Sequence, residues 1–426
     1  MHADEIGPER CFNRERDFAW MTIPNSVSHQ ASTEAKLPRR DWVLLPLISL
    51  FTIGLLVVFT ESVSKRMFSE SRSEVGCWVE DDPLTGVRGI PNCTCWEKFP
   101  ESQLTVYRFN SCGHRAAMEC GPKALGTYRI VMVGSSYTMG AGVSEPETFA
   151  ALLPADLSRR TGRKVELYNE GMMWGSPYSI DLRFGQVLAA KPDMILWILT
   201  PWDIKNSSRA MPGPAMPVKR GFMRATRQRV QEALARESIS DAVSDISEGL
   251  SISLAGTRSG LLLQHFFYES QTQYVKLYLL GGDDPGFLRA QPSAEMKSLI
   301  QKTDFYAADI EARAIAAGVP LVAVLVPNRA QAAMISMGEW PAGYDPYELS
   351  DEIRRIVVSR GGTYIDILPA YREIANSEQG YFPVNGHPNA GGHATIAKLI
   401  ARELTGGAVP ALRVISGPQD ILKKGE

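Results

Sequence analysis

Apolar and polar positions change rhythm at residue 128. Beyond it, short apolar runs at 128–133, 165–168, 194–200, 321–326 and 363–368 alternate with stretches of helical spacing at about 146–160, 178–190, 296–317 and 347–359. A last stretch, "GHATIAKLIARELT" at 392–405, again carries apolar residues at helical intervals. Strand and helix in alternation predict a parallel sheet covered by helices on both faces. The expected architecture is α/β, a flavodoxin-like three-layer sandwich around a five-stranded parallel sheet. One βα unit is interrupted by an insertion at about 205–295. Its stretch "GLLLQHFFYESQTQYVKLYLL" (260–280) is too broken by Gln264, His265 and Glu269 to span a membrane, and reads as helix packed on the core. No internal repeat is present.

The chain before 128 reads differently. "VLLPLISLFTIGLLVVFT" (43–60) carries no charge and has about the minimum length, ~18 residues, for a hydrocarbon core ~30 Å thick. Lys36, Arg39 and Arg40 precede it and Trp42 marks an interface; Lys65, Arg66 and Arg72 follow, so the charge bias is not one-sided. A buried core helix is the alternative, but the run lacks amphipathic spacing and both flanks are polar. With a long polar segment before it and no A-x-A site after it, a signal anchor is favoured over a cleaved signal peptide. The expected organisation is a polar cytoplasmic tail (1–41), a single transmembrane helix (42–60), a Cys-, Pro- and Gly-bearing approach segment with few periodic elements (61–127), the α/β domain (128–405) and a C-terminal tail (406–426). The α/β domain would then lie outside the cytoplasm, in a periplasmic space.

Cysteine usage fits that topology. Cys77, Cys93, Cys95, Cys112 and Cys120 cluster after the apolar run, as disulfides in an oxidising compartment would. Five is odd, so one thiol is left over or pairs between chains. Zinc binding by the C-x-C of 93–95 with Cys112, His114 and Cys120 is the other reading, at a spacing that matches no common zinc pattern. The net charge is −2 with signs interspersed, and no basic tract speaks for a nucleic-acid partner. No motif calls for a metal or nucleotide cofactor.

In an open parallel sheet, ligands bind beyond the carboxyl ends of the strands. The first run ends in "GSSYTMG", with Ser135 and Ser136; the second in "NEGMMWG", with Asn169 and Gly171; the third in "TPWDIKN", with Trp202 and Asp203. The fourth leads to "PNRAQ", with Asn328 and Arg329, and beyond the fifth lies "YFPVNGHPNAGGH", with Asn385, His387 and His393. Alone, Ser136 reads as a helix N-cap. Together, a hydroxyl, an imidazole and small backbone-donor residues at one sheet edge form the set that acyl transfer needs. His393 reads as a residue that packs the last helix.

These blocks resemble the bacterial SGNH/GDSL hydrolase superfamily over roughly residues 105–405, the insertion apart. The resemblance implies Ser136 as nucleophile, with Ser135 where the family's Gly-Asp-Ser has Asp. It implies His387, before Pro388, as base, and the Gly171 backbone N–H as oxyanion donor. Two positions depart from the pattern. Trp202 stands where the third block has an oxyanion-binding Asn, a loss of about 10²–10³ in kcat for one donor. Asn385 stands where the triad Asp is usual, a change that in a serine protease costs about 10⁴. Asn169, Asp203 and Asn328 are candidates to make up the missing donor, Arg329 to face an anionic group, and Trp202 to wall the pocket or stack on a sugar. The resemblance implies a membrane-anchored esterase or O-acyltransferase acting on acyl esters, acetyl first, of extracytoplasmic carbohydrate. A polysaccharide-export or acyl-donor membrane protein would be its partner. The alternative is a catalytically degenerate member that binds glycan or assembles a polysaccharide-modification complex.

Overall fold

The computed structural model describes residues 38, 40–68, 72–74, 76–82, 86–208, 257–280 and 284–414. Nearly all of the expected polar tail, residues 209–256 of the insertion and the end of the C-terminal tail lie outside these. The chain divides into two compact units, Met1–Leu56 and Val57–Glu426. Helix α1 (Asp41–Met67) begins in the first. Its side chains from 42 to 59 are all exposed, Leu50, Phe51 and Phe59 among them. It is long and apolar enough to cross a membrane.

In the second unit the approach segment is more ordered than its sequence predicts. It forms β1 (Arg72–Glu74), β2 (Trp78–Asp82), β3 (Gly86–Gly89), β4 (Thr94–Lys98) and β5 (Thr105–Arg108). β4 pairs antiparallel with both β1 and β5, and β2 pairs antiparallel with β3. Strands this short and half-buried give no long period in sequence. Disulfides Cys77–Cys93 and Cys112–Cys120 staple the segment, and Cys95 is left as a buried thiol.

The α/β domain follows with β6 (Thr127–Gly134), β7 (Lys164–Gly171), β8 (Met194–Leu199), β9 (Leu321–Leu325) and β10 (Thr363–Tyr364). All pair in parallel, in the order β10-β9-β8-β6-β7. Counted in chain order this is 2-1-3-4-5, the flavodoxin-like arrangement. Every residue of β6 and β8 is buried, which is why β8 reads as an unbroken apolar run and β6 as one interrupted only by Arg129, paired with Glu166. β10 is shorter than the predicted 363–368. Ile365 still donates to Ala323, but Asp366 Oδ1 then accepts the Leu368 N–H and turns the chain into a 3₁₀ segment opened by Pro369.

The helices are α2 (Ser136–Met139), α3 (Phe149–Thr161), α4 (Pro177–Ala189), α5 (Pro201–Lys205), α6 (Arg258–Phe267), α7 (Gln271–Leu279), α8 (Ala294–Ala316), α9 (Arg329–Met337), α10 (Glu348–Ser359) and α11 (Ala390–Glu403). Right-handed crossovers put α3 on one face of the sheet and α4, α8 and α10 on the other. α3 packs against α11, and α8 against α4 and α10. Phe149, Leu153 and Leu157, spaced four apart on α3, are fully buried; such a side chain contributes roughly 1.5–3 kcal/mol. α6 and α7 make the apolar stretch of the insertion helical, as its sequence predicts.

Candidate active site

The reversal of strand order between β6 and β8 places the end of β6 at the crevice where such sheets bind ligands. There β6 stops at Gly134, Ser135 takes the N-cap position and Ser136 opens α2. The turn is tight: a Cβ on Gly134 would lie 2.1 Å from Thr138 Oγ1. Because Ser136 is the first helical residue, its N–H has no acceptor within the helix and points out of the first turn.

His387 arrives from the far end of the domain. Its Nε2 is 2.8 Å from Ser136 Oγ and its Nδ1 is 2.6 Å from Asn385 Oδ1. The same Asn385 oxygen accepts the His387 backbone N–H at 3.3 Å, so the side chain is held in a local turn. A carbonyl oxygen can only accept. Asn385 therefore fixes the proton on Nδ1 and leaves the Nε2 lone pair for the serine hydroxyl. Tyr137 steadies the loop by donating its hydroxyl hydrogen to the Gly386 carbonyl at 2.7 Å. The imidazole lies between the rings of Phe99 and Tyr137, at centroid distances of 5.8 and 5.2 Å. This enclosure disfavours the imidazolium and pushes His387 down to about 4.

The other candidates have different duties. Gly171 is a glycine because α2 lies on it: a Cβ there would stand 2.4 Å from Met139 N. Its N–H donates to Asn169 Oδ1 at 3.0 Å, so the donor expected for an oxyanion is already committed. Asn169 is buried, and its Nδ2 donates to Thr138 O. The glycine that abuts the nucleophile turn is Gly175, whose Cβ would come 2.4 Å from Gly134 O; its N–H donates to Met172 O. Asn328 caps α9 and donates to Tyr278 Oη at 3.1 Å. Asp203 caps α5 through Thr200, and burial pushes its carboxyl up to about 7 against the hydrogen bonds from Ser135 and Thr200. Trp202 stays on the surface, 36% exposed, with Lys205 Nζ 4.9 Å from its ring centroid. Arg329 is buried rather than solvated. It donates to Pro383 O and Tyr268 O and lies 3.7 Å from the Tyr274 ring centroid, tying the insertion to the loop before His387. His393 is fully buried and accepts the Phe149 N–H, the packing part its sequence suggests.

Several residues of the site come from the approach segment, which sequence reading left as connection. Phe99 stacks on His387 and also fills the space over Gly142, where a Cβ would meet its ring at 2.6 Å. Tyr107 Oη accepts the Gly142 N–H at 2.9 Å. Buried Arg115 donates to the carbonyls of Met139, Gly140 and Val143, closing off α2.

A parallel sheet of order 2-1-3-4-5, with serine at the end of its first strand and histidine beyond its last, is the layout of SGNH/GDSL-type α/β hydrolases. The strand order, the serine and the histidine of this chain stand as the resemblance in its sequence implies. No protein-family model matches it, and neither does any curated protein. Among solved structures it is similar to LAE5, an alpha/beta hydrolase enzyme from the metagenome of Lake Arreo, Spain, with 16% identity and a TM-score of 0.35 over 67% of this chain and 96% of that one. TesA matches at 11% identity and a TM-score of 0.35, over 66% of this chain and 99% of that one. The lipase/acylhydrolase from Enterococcus faecalis matches at 13% and 0.32, over 66% and 96%.

Proposed function

We propose that this chain is a membrane-anchored carboxylic-ester hydrolase or O-acyltransferase acting on acyl esters, acetyl first, of carbohydrate outside the cytoplasm. The observation that carries it is the Asn385–His387–Ser136 relay at 2.6 and 2.8 Å. Ser136 Oγ attacks the ester carbonyl while its proton passes to His387 Nε2. The Ser136 N–H faces the developing oxyanion. His387 then returns the proton to the departing alcohol, leaving an acyl-serine. Water or a sugar hydroxyl, deprotonated by the same nitrogen, takes the acyl group and frees the serine. An Asn as third member serves such a relay in papain-like Cys-His-Asn sites, so the missing Asp does not by itself forbid chemistry. Two disulfides and an apolar helix fit for spanning support an extracytoplasmic, anchored domain.

A second reading, a glycan-binding protein without catalysis, is favoured by Trp202 at the donor position and by the commitment of the Gly171 N–H. Full-length protein in detergent separates the two. Wild type is expected to hydrolyse p-nitrophenyl acetate and to take up a fluorophosphonate probe at Ser136, with both lost in Ser136→Ala. Wild-type turnover equal to that of Ser136→Ala, with no labelling, sinks the esterase and leaves the binding protein.

A further inference from the structure

Glu101 lies in the turn between β4 and β5, far in sequence from the histidine loop, yet its carboxylate is 3% exposed and closed on by that loop. The Val384 N–H donates to Oε1 and Oε2 at 3.0 and 3.2 Å, and the Asn385 N–H to Oε2 at 2.7 Å. His265 of α6 completes the set, its Nε2 2.6 Å from Oε1. A buried carboxylate costs several kcal/mol unless charge and hydrogen bonds surround it. This one is surrounded by two consecutive peptide N–H groups of the catalytic loop and one imidazole of the insertion.

The loop needs such a hold. Gly386 follows Asn385 at φ +79°, in the left-handed region where glycine moves freely. A rotation of the Val384–Asn385 peptide would carry Asn385 Oδ1 away from both His387 nitrogens it now serves. We infer that Glu101 is a positioning residue for the reaction proposed above: it locks the Asn385 backbone, and thereby the His387 tautomer and ring, onto Ser136. His265 Nε2 lies against the same carboxylate, so the insertion and the approach segment meet at the residue that holds the loop. Phe99, two residues earlier in the same turn, holds the other side of the ring. The inference rests on the esterase reading, and its test includes a readout that does not.

The experiment compares full-length wild type, Glu101→Ala and Glu101→Gln. Glu101→Ala is expected to lose about 30-fold in kcat for p-nitrophenyl acetate with KM within about twofold, as misplacing a base by about 1 Å does. Glu101→Gln keeps an acceptor oxygen and is expected to recover most of that, with about a threefold loss. In deuterium exchange, the Val384 and Asn385 amides are protected in wild type, exposed in Glu101→Ala and intermediate in Glu101→Gln. Wild-type kcat in Glu101→Ala, a loss confined to KM, or unchanged exchange at those amides overturns the inference. If Glu101→Ala does not fold, Glu101→Gln decides alone, and unchanged kcat and exchange overturn it. An inactive wild type that does not label at Ser136 overturns the esterase instead; the exchange result then judges Glu101 by itself.

Discussion

Asn385 gives His387 a geometry without giving it a charge. Its Oδ1 holds the Nδ1 proton, but a neutral amide does not offset the imidazolium that the proposed reaction would form, and burial already holds His387 near 4. The base form is therefore present from about pH 5 upward. We expect kcat/KM to stay level there and to fall as pH drops through about 4, where Nε2 becomes protonated. Asn385→Asp places a carboxylate on the ring and raises the pKa of His387. It should speed p-nitrophenyl acetate turnover above pH 7, because a stronger base is a better acceptor, and should move the acid limb to higher pH. A variant no faster than wild type, with an unmoved limb, would show that the third residue does not limit the reaction. At this scale Ser136 is legible in sequence from a short motif at a strand end, and Asn385 and His387 from a short Asn-, Gly- and Pro-bearing motif just before the last helix. The employment of Gly171 is not legible, since it depends on where the Asn169 side chain turns.

Among the elements, α5 is where the expected oxyanion donor can be tested. Its Thr200/Asp203 capping box is intact, so the helix starts where the third block should present its donor, but the residue presented is Trp202. Trp202→Asn leaves both caps in place and restores an amide at that position. The expected result is a rise in kcat of up to about 10²-fold, with a higher KM if the indole contributes a stacking surface. Equal kcat in the two proteins would mean that Trp202 does not stand at the oxyanion. The long helices are readable because they hold one period over many residues, and four of the five sheet strands because they are largely apolar runs of five to eight residues; β10 keeps only two residues of its run. The strands before 128 were not. They are three to five residues long, and they are held by disulfides and by Tyr107 and Arg115, which reach across the sequence to Gly142 and to the end of α2. For the same reason Phe99, Glu101 and His265 give no local sign of their place beside the histidine loop.

For the molecule as a whole, the Cys77–Cys93 bridge closes a loop spanning 16 residues, worth about 3 kcal/mol in the chain-entropy account. Replacing both cysteines by serine should lower the calorimetric Tm of the folded unit by several degrees, whereas Cys95→Ala, which removes only a buried thiol, should lower it less. Equal Tm values for wild type and the double variant would mean that the bridge is not formed in the isolated protein. The folding of this segment also bears on reach. As a free coil, a stretch the length of 61–127 would let a tethered enzyme sweep a radius of roughly 45 Å. Folded into the wall of the site by Phe99, Glu101, Tyr107 and Arg115, residues 86–127 have no such slack to offer. If α1 is anchored in a bilayer, any reach the enzyme has must come from the few residues between α1 and β1, not from residues 86–127. Lengthening the chain between α1 and β1 would then be the way to make a grazing enzyme out of a stationary one.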